Sequence, residues 1–573
     1  MPNRIVLACL LLTAAVAAQS LPNTLVVIAD DVGVDGIGCY GYATAGPTPN
    51  LDALATRGLR FTNAVANPVC SPTRAGLLTG RYGFRTGIGN VVTTTAGLAA
   101  SETILPEILA PAGIATALIG KWHLGTANGP ATPTVMGFGE FTGSLQGAIA
   151  DYFAWPKVQS GVMRQETNYA TTDLVDEAIA FVGRQTGPWY LQLAFHSGHT
   201  PLHAPPANLH TQNLAGLDPA TTPVPFYHAM VEAMDTELGR LFAALPTATL
   251  ANTNVVFLGD NGTANAVVQS PFDPQRSKGT VYQGGVRVPM LVAGPAVVGL
   301  PRVESAPIAA VDWFVTLAAL QGVDAFAAVP PSTVLDGVDQ RALLAPTGAP
   351  PRRTYAFSEI FGAAGPMAAT GDAEHVRDGQ YELLRFVGPS GMVREELYDH
   401  AADPWETTDL LAAPLSTTAD RAYRALRREL NRLRGVAMAT PFGVSCSGGG
   451  LSPQLRAITQ PTLGGTLTMR ITGLDATVSL ALGVVGFDDL QWNATPLPWA
   501  LDGLGMPGCN LYVSPAITEL LPRTTTVATW TETIPAATAF LGIGWFAQGL
   551  LLAPAANAAG ALATRAVEVR IGA

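Results

Sequence analysis

Four nearly unbroken apolar runs, separated by amphipathic stretches, constrain this chain more than any other feature. Thr24-Leu25-Val26-Val27-Ile28, Trp189 to Phe195, Asn254 to Leu258 and Val288 to Val292 place apolar side chains at successive positions. Neither face of such a strand can meet water, as in a mainly parallel sheet covered on both sides. Helical spacing lies between the runs. Thr48-Pro49 opens a segment with Leu51, Leu54 and Ala55 on one face and Gly58 at its end. Met230, Met234, Leu238 and Leu241 mark a buried stripe in a helix from about Phe226 to Leu245. The expectation is an α/β core in which ligands bind beyond the carboxyl ends of the strands.

The texture changes twice. From Pro351, Tyr381 to Phe386 and Glu396 to Tyr398 read as antiparallel strands, followed by an Arg-rich helix from about Thr418 to Leu433. After Gly435, charges thin out and short alternating runs such as Thr466 to Ile471 read as a β-sandwich. At 573 residues the chain exceeds one ordinary core. The division expected is α/β over 19–350, a smaller α+β subdomain over 351–435 and a β-sandwich over 436–573. Residues 1–18 read as a secretory signal, with Arg4 before an apolar run from Ile5 to Ala18 that is short for a membrane span. A secreted or periplasmic protein is expected, with no transmembrane segment after cleavage. Cys446 and Cys509 could pair in that compartment, and Cys39 is expected as a buried free thiol. A net charge of −11 leaves no basic footprint for nucleic acid, so any anionic ligand must be drawn by local cations.

Polar residues gather at the ends of these runs. Asp30-Asp31 follows the first strand, and Asp260-Asn261-Gly262 ends another. Adjacent carboxylates can be a solvated turn. Together, though, these residues make an all-oxygen set suited to Ca²⁺, or to Mg²⁺, and poorly suited to zinc. In Cys70-Ser71-Pro72-Thr73-Arg74, Ser71 suits an N-cap, Pro72 the first helical position and Gly80 the stop. Cys70 is then either a structural cysteine or a nucleophile beside a helix N-terminus, where free backbone N–H groups favour negative charge. Lys121 and His123, one residue apart, would face the same way on an extended segment. His196, His199 and His203 cluster without the further ligands a zinc site needs. Lys278 stands in Ser277-Lys278-Gly279-Thr280.

Cys70 through Arg81 resembles the sulfatase family signature, and Gly113 through His123 resembles its second signature. The resemblance covers about Thr24 to Leu411 and includes Asp30-Asp31-x-Gly33, Gly259-Asp260-Asn261-Gly262 and Asp403-Pro404-x-Glu406. It implies the alkaline-phosphatase-like fold and sulfuric ester hydrolysis. It further implies that a maturation enzyme converts Cys70 to Cα-formylglycine. Asp30, Asp31, Asp260, Asn261 and the modified Cys70 would hold a divalent cation, usually calcium. Arg74 would hold the aldehyde hydrate, Lys121 and Lys278 would balance sulfate charge, and His123 would take the proton that releases sulfate. His199, before Thr200-Pro201, would protonate the leaving oxygen, with His196 and His203 behind the reacting groups or at the substrate rim. Gln283 stands where many members have Glu, and Gly139 where Asp is common. Ser144 is only a candidate for a sulfate-contacting residue. The expected substrate is a sulfated small molecule or glycan. A phosphodiester or phosphonate monoester hydrolase on the same fold, or a non-catalytic sugar-binding protein, are the alternatives.

Overall fold

The computed structural model describes residues 21–572, save 94, 300, 346–352, 363–371, 389, 391 and 436. The segment read as a signal, 1–18, lies outside the described residues. Two compact units form, Met1–Ala413 and Pro414–Ala573.

The first unit is built on a ten-stranded mixed sheet. Its strands in chain order begin with β1 (Asn23–Ala29) and β2 (Leu59–Phe61); β3 (Ala64–Val65) belongs to a separate short pair. There follow β4 (Ala115–Lys121), β5 (Glu140–Ser144), β6 (Trp155–Gln159), β7 (Val162–Glu166), β8 (Trp189–Ala194), β9 (Thr253–Gly259), β10 (Met290–Ala293) and β11 (Arg302–Glu304). The spatial order is β11-β2-β10-β9-β1-β8-β4-β5-β6-β7. β1 is central and parallel to both neighbours, and β4 is parallel to β8 and β5. β10 runs antiparallel to β9 and β2. The run Val288 to Val292 could not disclose this, because burial on both faces looks the same in either direction.

Alternate β1 side chains feed two cores. Val26 and Ile28 face one core, while Leu25, Val27 and Ala29 face the other. The helix Pro223–Ala244 buries Met230, Met234, Leu238 and Leu241 in the second core, matching the expected stripe. A four-stranded antiparallel sheet, β13 (Ala356–Ile360), β14 (Asp372–Arg377), β15 (Tyr381–Val387) and β16 (Val393–Asp399), completes this unit after the short β12 (Ile308–Ala309), which pairs with β3.

The second unit opens with the helix Thr417–Arg434, capped by Ser416 and closed by Gly435 at φ 62°. Its Arg424 and Arg428 bind Asp489 and Glu568 of the same unit. Five antiparallel strands and a second sheet of three enclose one apolar core around Trp530. Cys446 and Cys509 form a disulfide. Cys39 is free but half-buried, not fully buried as expected.

Candidate active site

In-register parallel pairing of β1 with β9, Ala29 opposite Gly259, delivers Asp30, Asp31, Asp260 and Asn261 to one place at the strands' carboxyl ends. All four are buried. Asp31 takes a left-handed turn at φ 59°, and its N–H donates to Asp260 Oδ1 at 3.2 Å. Asn261 Nδ2 donates to Asp31 Oδ1 at 2.9 Å. Asp30 Oδ1 and Asn261 Oδ1 are left without any hydrogen-bond partner. Each such buried acceptor costs about 1–3 kcal/mol unless something satisfies it. A hard cation would satisfy both, and Asp30, Cys70 and Asp260 offer ligand atoms within 4.8 Å of one another. The donor chemistry therefore fits an oxygen-preferring divalent ion.

Cys70 is the first residue of α2 (Cys70–Thr79), not the residue before it, and the N-cap is Val69 instead of Ser71. The reason lies in what Ser71 does. Its Oγ donates to His123 O at 2.9 Å and accepts Val92 N–H at 3.0 Å, so it ties two loops together and leaves the cap unfilled. Gly80, at φ 68°, ends α2 as expected. Cys70 Sγ lies 3.2 Å from His123 Nδ1. Burial pushes its thiol pKa up even though Lys121 opposes the shift, so the unmodified side chain is a neutral thiol.

One turn along α2, Arg74 donates through Nε and Nη2 to Asp260 Oδ2 at 3.1 and 2.7 Å, and through Nη1 to Lys121 O at 3.1 Å. Lys121, the fully buried last residue of β4, donates to Asp30 Oδ2. Burial alone would raise the Asp30 pKa, but Lys121, His199 and Arg74 reverse this and hold it well below the usual carboxylate range. Burial and then the charge of Asp30 push the Asp260 carboxyl up. Lys278 Nζ donates to the Asp31 carboxylate at 2.6 Å. Burial disfavours the Lys278 charge, yet Asp31, Cys70 and Asp30 outweigh it and raise its pKa.

His123 does not sit on an extended segment, because its φ of 59° turns the chain. Lys121 and His123 reach the site by different routes, one from the strand end and one from the turn. Burial, then Lys121 and Arg74, push the His123 pKa well below the ordinary value, so its ring is a neutral proton acceptor. His199 Nδ1 donates to Thr200 O at 2.8 Å. Its Nε2 lies 3.9 Å from Asp31 Oδ2.

The other sequence candidates separate. His196 is buried with both ring nitrogens unpartnered and its pKa pushed down by burial to about 3, which fits a place behind the site and not one at its rim. His203 is half-buried, with Nε2 3.1 Å from Tyr169 Oη. Ser144 ends β5, buried, its Oγ accepting Gln146 N–H at 3.2 Å. No group of three candidate ligand residues among the described ones brings His196, His199 and His203 together.

Reading by motif missed Gly147. A Cβ there would stand 2.3 Å from His123 Cε1 and Nε2, so only a bare backbone can pass over that ring. Nothing local marks it, since the contact crosses from the loop after β5 to the turn after β4. Gly147→Ala is expected to lower kcat about 10²-fold by displacing His123 roughly 1 Å. The melting temperature should move little, and steady-state kinetics with a thermal melt read both. Unchanged kcat would show that the ring position is not critical.

The sulfatase family model matches residues 22–323. Arylsulfatase A from Bos taurus is 31% identical over 514 residues, covering 79% of this chain and 96% of that protein. Among solved structures, Ps i-CgsB in complex with k-i-k-neocarrahexaose superposes with a TM-score of 0.61 at 26% identity, over 72% of this chain and 92% of that one. The phosphonate monoester hydrolase of Agrobacterium radiobacter shares the fold, with a TM-score of 0.53 at 20% identity over 72% of this chain and 95% of its own.

Proposed function

This chain belongs to the sulfatase family and is a sulfuric ester hydrolase, and we propose that it acts through a formylglycine made from Cys70, with a bound calcium ion, on carbohydrate or aryl sulfates outside the cytoplasm. The observation that carries the reading is the setting of Cys70. It is a neutral thiol in the first turn of α2, 3.2 Å from His123, with its Sγ within 4.8 Å of carboxylate oxygens of Asp30 and Asp260. A thiol held neutral by burial is a poor nucleophile, whereas the hydrate of an aldehyde at that carbon supplies both an attacking hydroxyl and a second hydroxyl for expelling sulfate.

Asp30, Asp31, Asp260 and Asn261 would hold the cation, which supplies Lewis-acid charge and a template for sulfate oxygens when bound. Lys121 and Lys278 balance negative charge on either side of the carboxylates. Arg74, fixed by Asp260 and by Lys121 O, stands one turn from position 70 and orients the group there. Neutral His123 accepts a proton next to position 70. His199, with its Nδ1 proton committed to Thr200 O, presents Nε2 as the atom that carries a proton to the leaving oxygen. General acid help of this kind is worth about 10²–10⁴-fold. The Cys446–Cys509 disulfide supports an oxidising compartment, as does the leader-like N-terminal sequence. No helix among the described residues is long and apolar enough to cross a membrane.

Protein made in a host with the maturation enzyme is expected to carry an aldehyde at position 70. Mass spectrometry of the peptide spanning Arg60 to Arg74 and hydrazide labelling would both register it. Active enzyme containing only unmodified thiol would refute the reading.

A further inference from the structure

Lysine occurs at only three positions, 121, 157 and 278. Lys121 and Lys278 are in the site. Lys157 is buried against Asp173 at 2.6 Å and Glu177 at 2.8 Å. Most loops that leave the carboxyl ends of the strands are also bare of arginine; the loop after β9 carries Arg276 and Arg287, which bind the backbone oxygens of Glu406 and Thr62. Neither lysine nor arginine occurs from Thr86 to Gly120, from Trp122 to Pro156, or from Gln185 to Gly239. The cations that bracket these segments are committed elsewhere: Arg85 to Asp336 at 2.8 Å, Arg184 to Glu140 at 2.7 Å, and Arg240 to Glu237 at 2.6 Å. Within the site, Arg74, Lys121 and Lys278 already face Asp260, Asp30 and Asp31. A divalent ion there would add charge enough for one anionic group held at that spot, and the three bare segments add no lysine or arginine beyond it.

Two surfaces next to the site are neutral or acidic. A cleft of about 290 Å³, lined by Ile88, Asn90, Val91, Val92, Thr93 and Phe361 among others, contains no charged residue. It is tied to α2 by the Val92 N–H bond to Ser71 Oγ, the residue after Cys70. On the His199 side, Tyr152 Oη donates to the backbone oxygens of His196 and His199. Beside it stand Phe153, which is 41% exposed, and His203, with ring centroids 5.8 Å apart. The one charge in this group is negative: exposed Asp151, whose Oδ1 accepts the Phe153 N–H at 2.7 Å.

We infer that this site takes sulfate esters whose leaving alcohol or phenol is uncharged, and that it discriminates against substrates carrying a second anion. The inference rests on the sulfatase reading and narrows its substrate class. A second sulfate or carboxylate would lose water against loops that offer it no lysine or arginine, and on the His199 side it would be repelled by Asp151, an effect that salt screens beyond ~8 Å at physiological strength.

The test compares two aryl sulfates, one bearing a propanamide arm and its twin a propanoate arm, matched in size and leaving-group acidity. On the full-length matured enzyme, kcat/KM is expected to be about tenfold higher for the amide at low salt. The gap should narrow both at high salt and in Asp151→Lys. Equal or better turnover of the propanoate overturns the inference. So does a gap that neither salt nor Asp151→Lys changes, since that discrimination would be steric. No turnover of either twin by folded, matured protein would instead count against the sulfatase reading itself.

Discussion

Cys70→Ala is expected to lose turnover by at least about 10⁴-fold, since removing a nucleophile typically leaves only the residual catalysis of the surrounding charges. The fold should survive, because the side chain removed is small and its neighbours are held by other bonds. Ser71 still ties the His123 turn to Val92, and Arg74 still binds Asp260. Cys70→Ser sharpens the test. A serine hydroxyl can attack once, but it has no second hydroxyl on the same carbon with which to expel sulfate. Incubation with an aryl sulfate should therefore leave one sulfate attached per protein, read by intact mass, with no sustained product release. Cys70→Ala retaining even a hundredth of wild-type activity would remove position 70 from the chemistry.

Position 70 can be read from the sequence because its chemistry is local. Cys70, Pro72 and Arg74 lie within one helix, and Gly80, which closes it, is its own residue signal. The paired acids and Lys121 are legible too, since an apolar run that stops abruptly at charged residues marks a strand reaching a polar rim. What escapes the sequence depends on contacts between segments distant in the chain. The register of β1 against β9 decides that Asp31 N–H meets Asp260, and no residue of either strand announces it. The left-handed turn at His123 is set by the loop packed over it. It brings the ring to Cys70 by a path that simple alternation along a strand does not foresee. Residue type points Ser71 to the cap, whereas tertiary contacts claim its hydroxyl. Gly147 is the clearest case, a glycine required by the imidazole beneath it and by nothing in its own neighbourhood. The direction of β10 and the placing of the helix Thr417–Arg434 in the second unit likewise follow from packing. Apolar spacing locates elements well but is silent on how they are oriented or grouped.

Asp260 is expected to be the most consequential single residue for stability and metal content together, because three demands meet on its carboxylate. Oδ2 takes two bonds from Arg74, Oδ1 takes the Asp31 N–H, and the same group offers a ligand atom within 4.8 Å of those of Asp30 and Cys70. Asp260→Ala would leave the Arg74 guanidinium, 1% exposed, without its counter-charge, a loss of about 3–5 kcal/mol for a buried pair broken on one side. Asp260→Asn separates the two roles. The amide oxygen can still accept from Asp31 N–H, but the negative charge is gone. Burial and Asp30 already push the Asp260 carboxyl toward its neutral form when protein charges act alone. The metal-free protein should therefore tolerate the amide better than the alanine. Calcium should discriminate the other way. Ligand binding stabilises the folded state by RT ln(1 + [L]/Kd), about 2.7 kcal/mol at a hundredfold excess over Kd. Wild-type protein should gain a higher melting temperature on adding calcium and lose it on chelation, whereas Asp260→Asn should show neither shift and bind no stoichiometric calcium. Calorimetry with elemental analysis reads both quantities. Asp260→Asn that keeps one calcium per chain and full activity would place the cation elsewhere, with the two orphaned oxygens still unsatisfied.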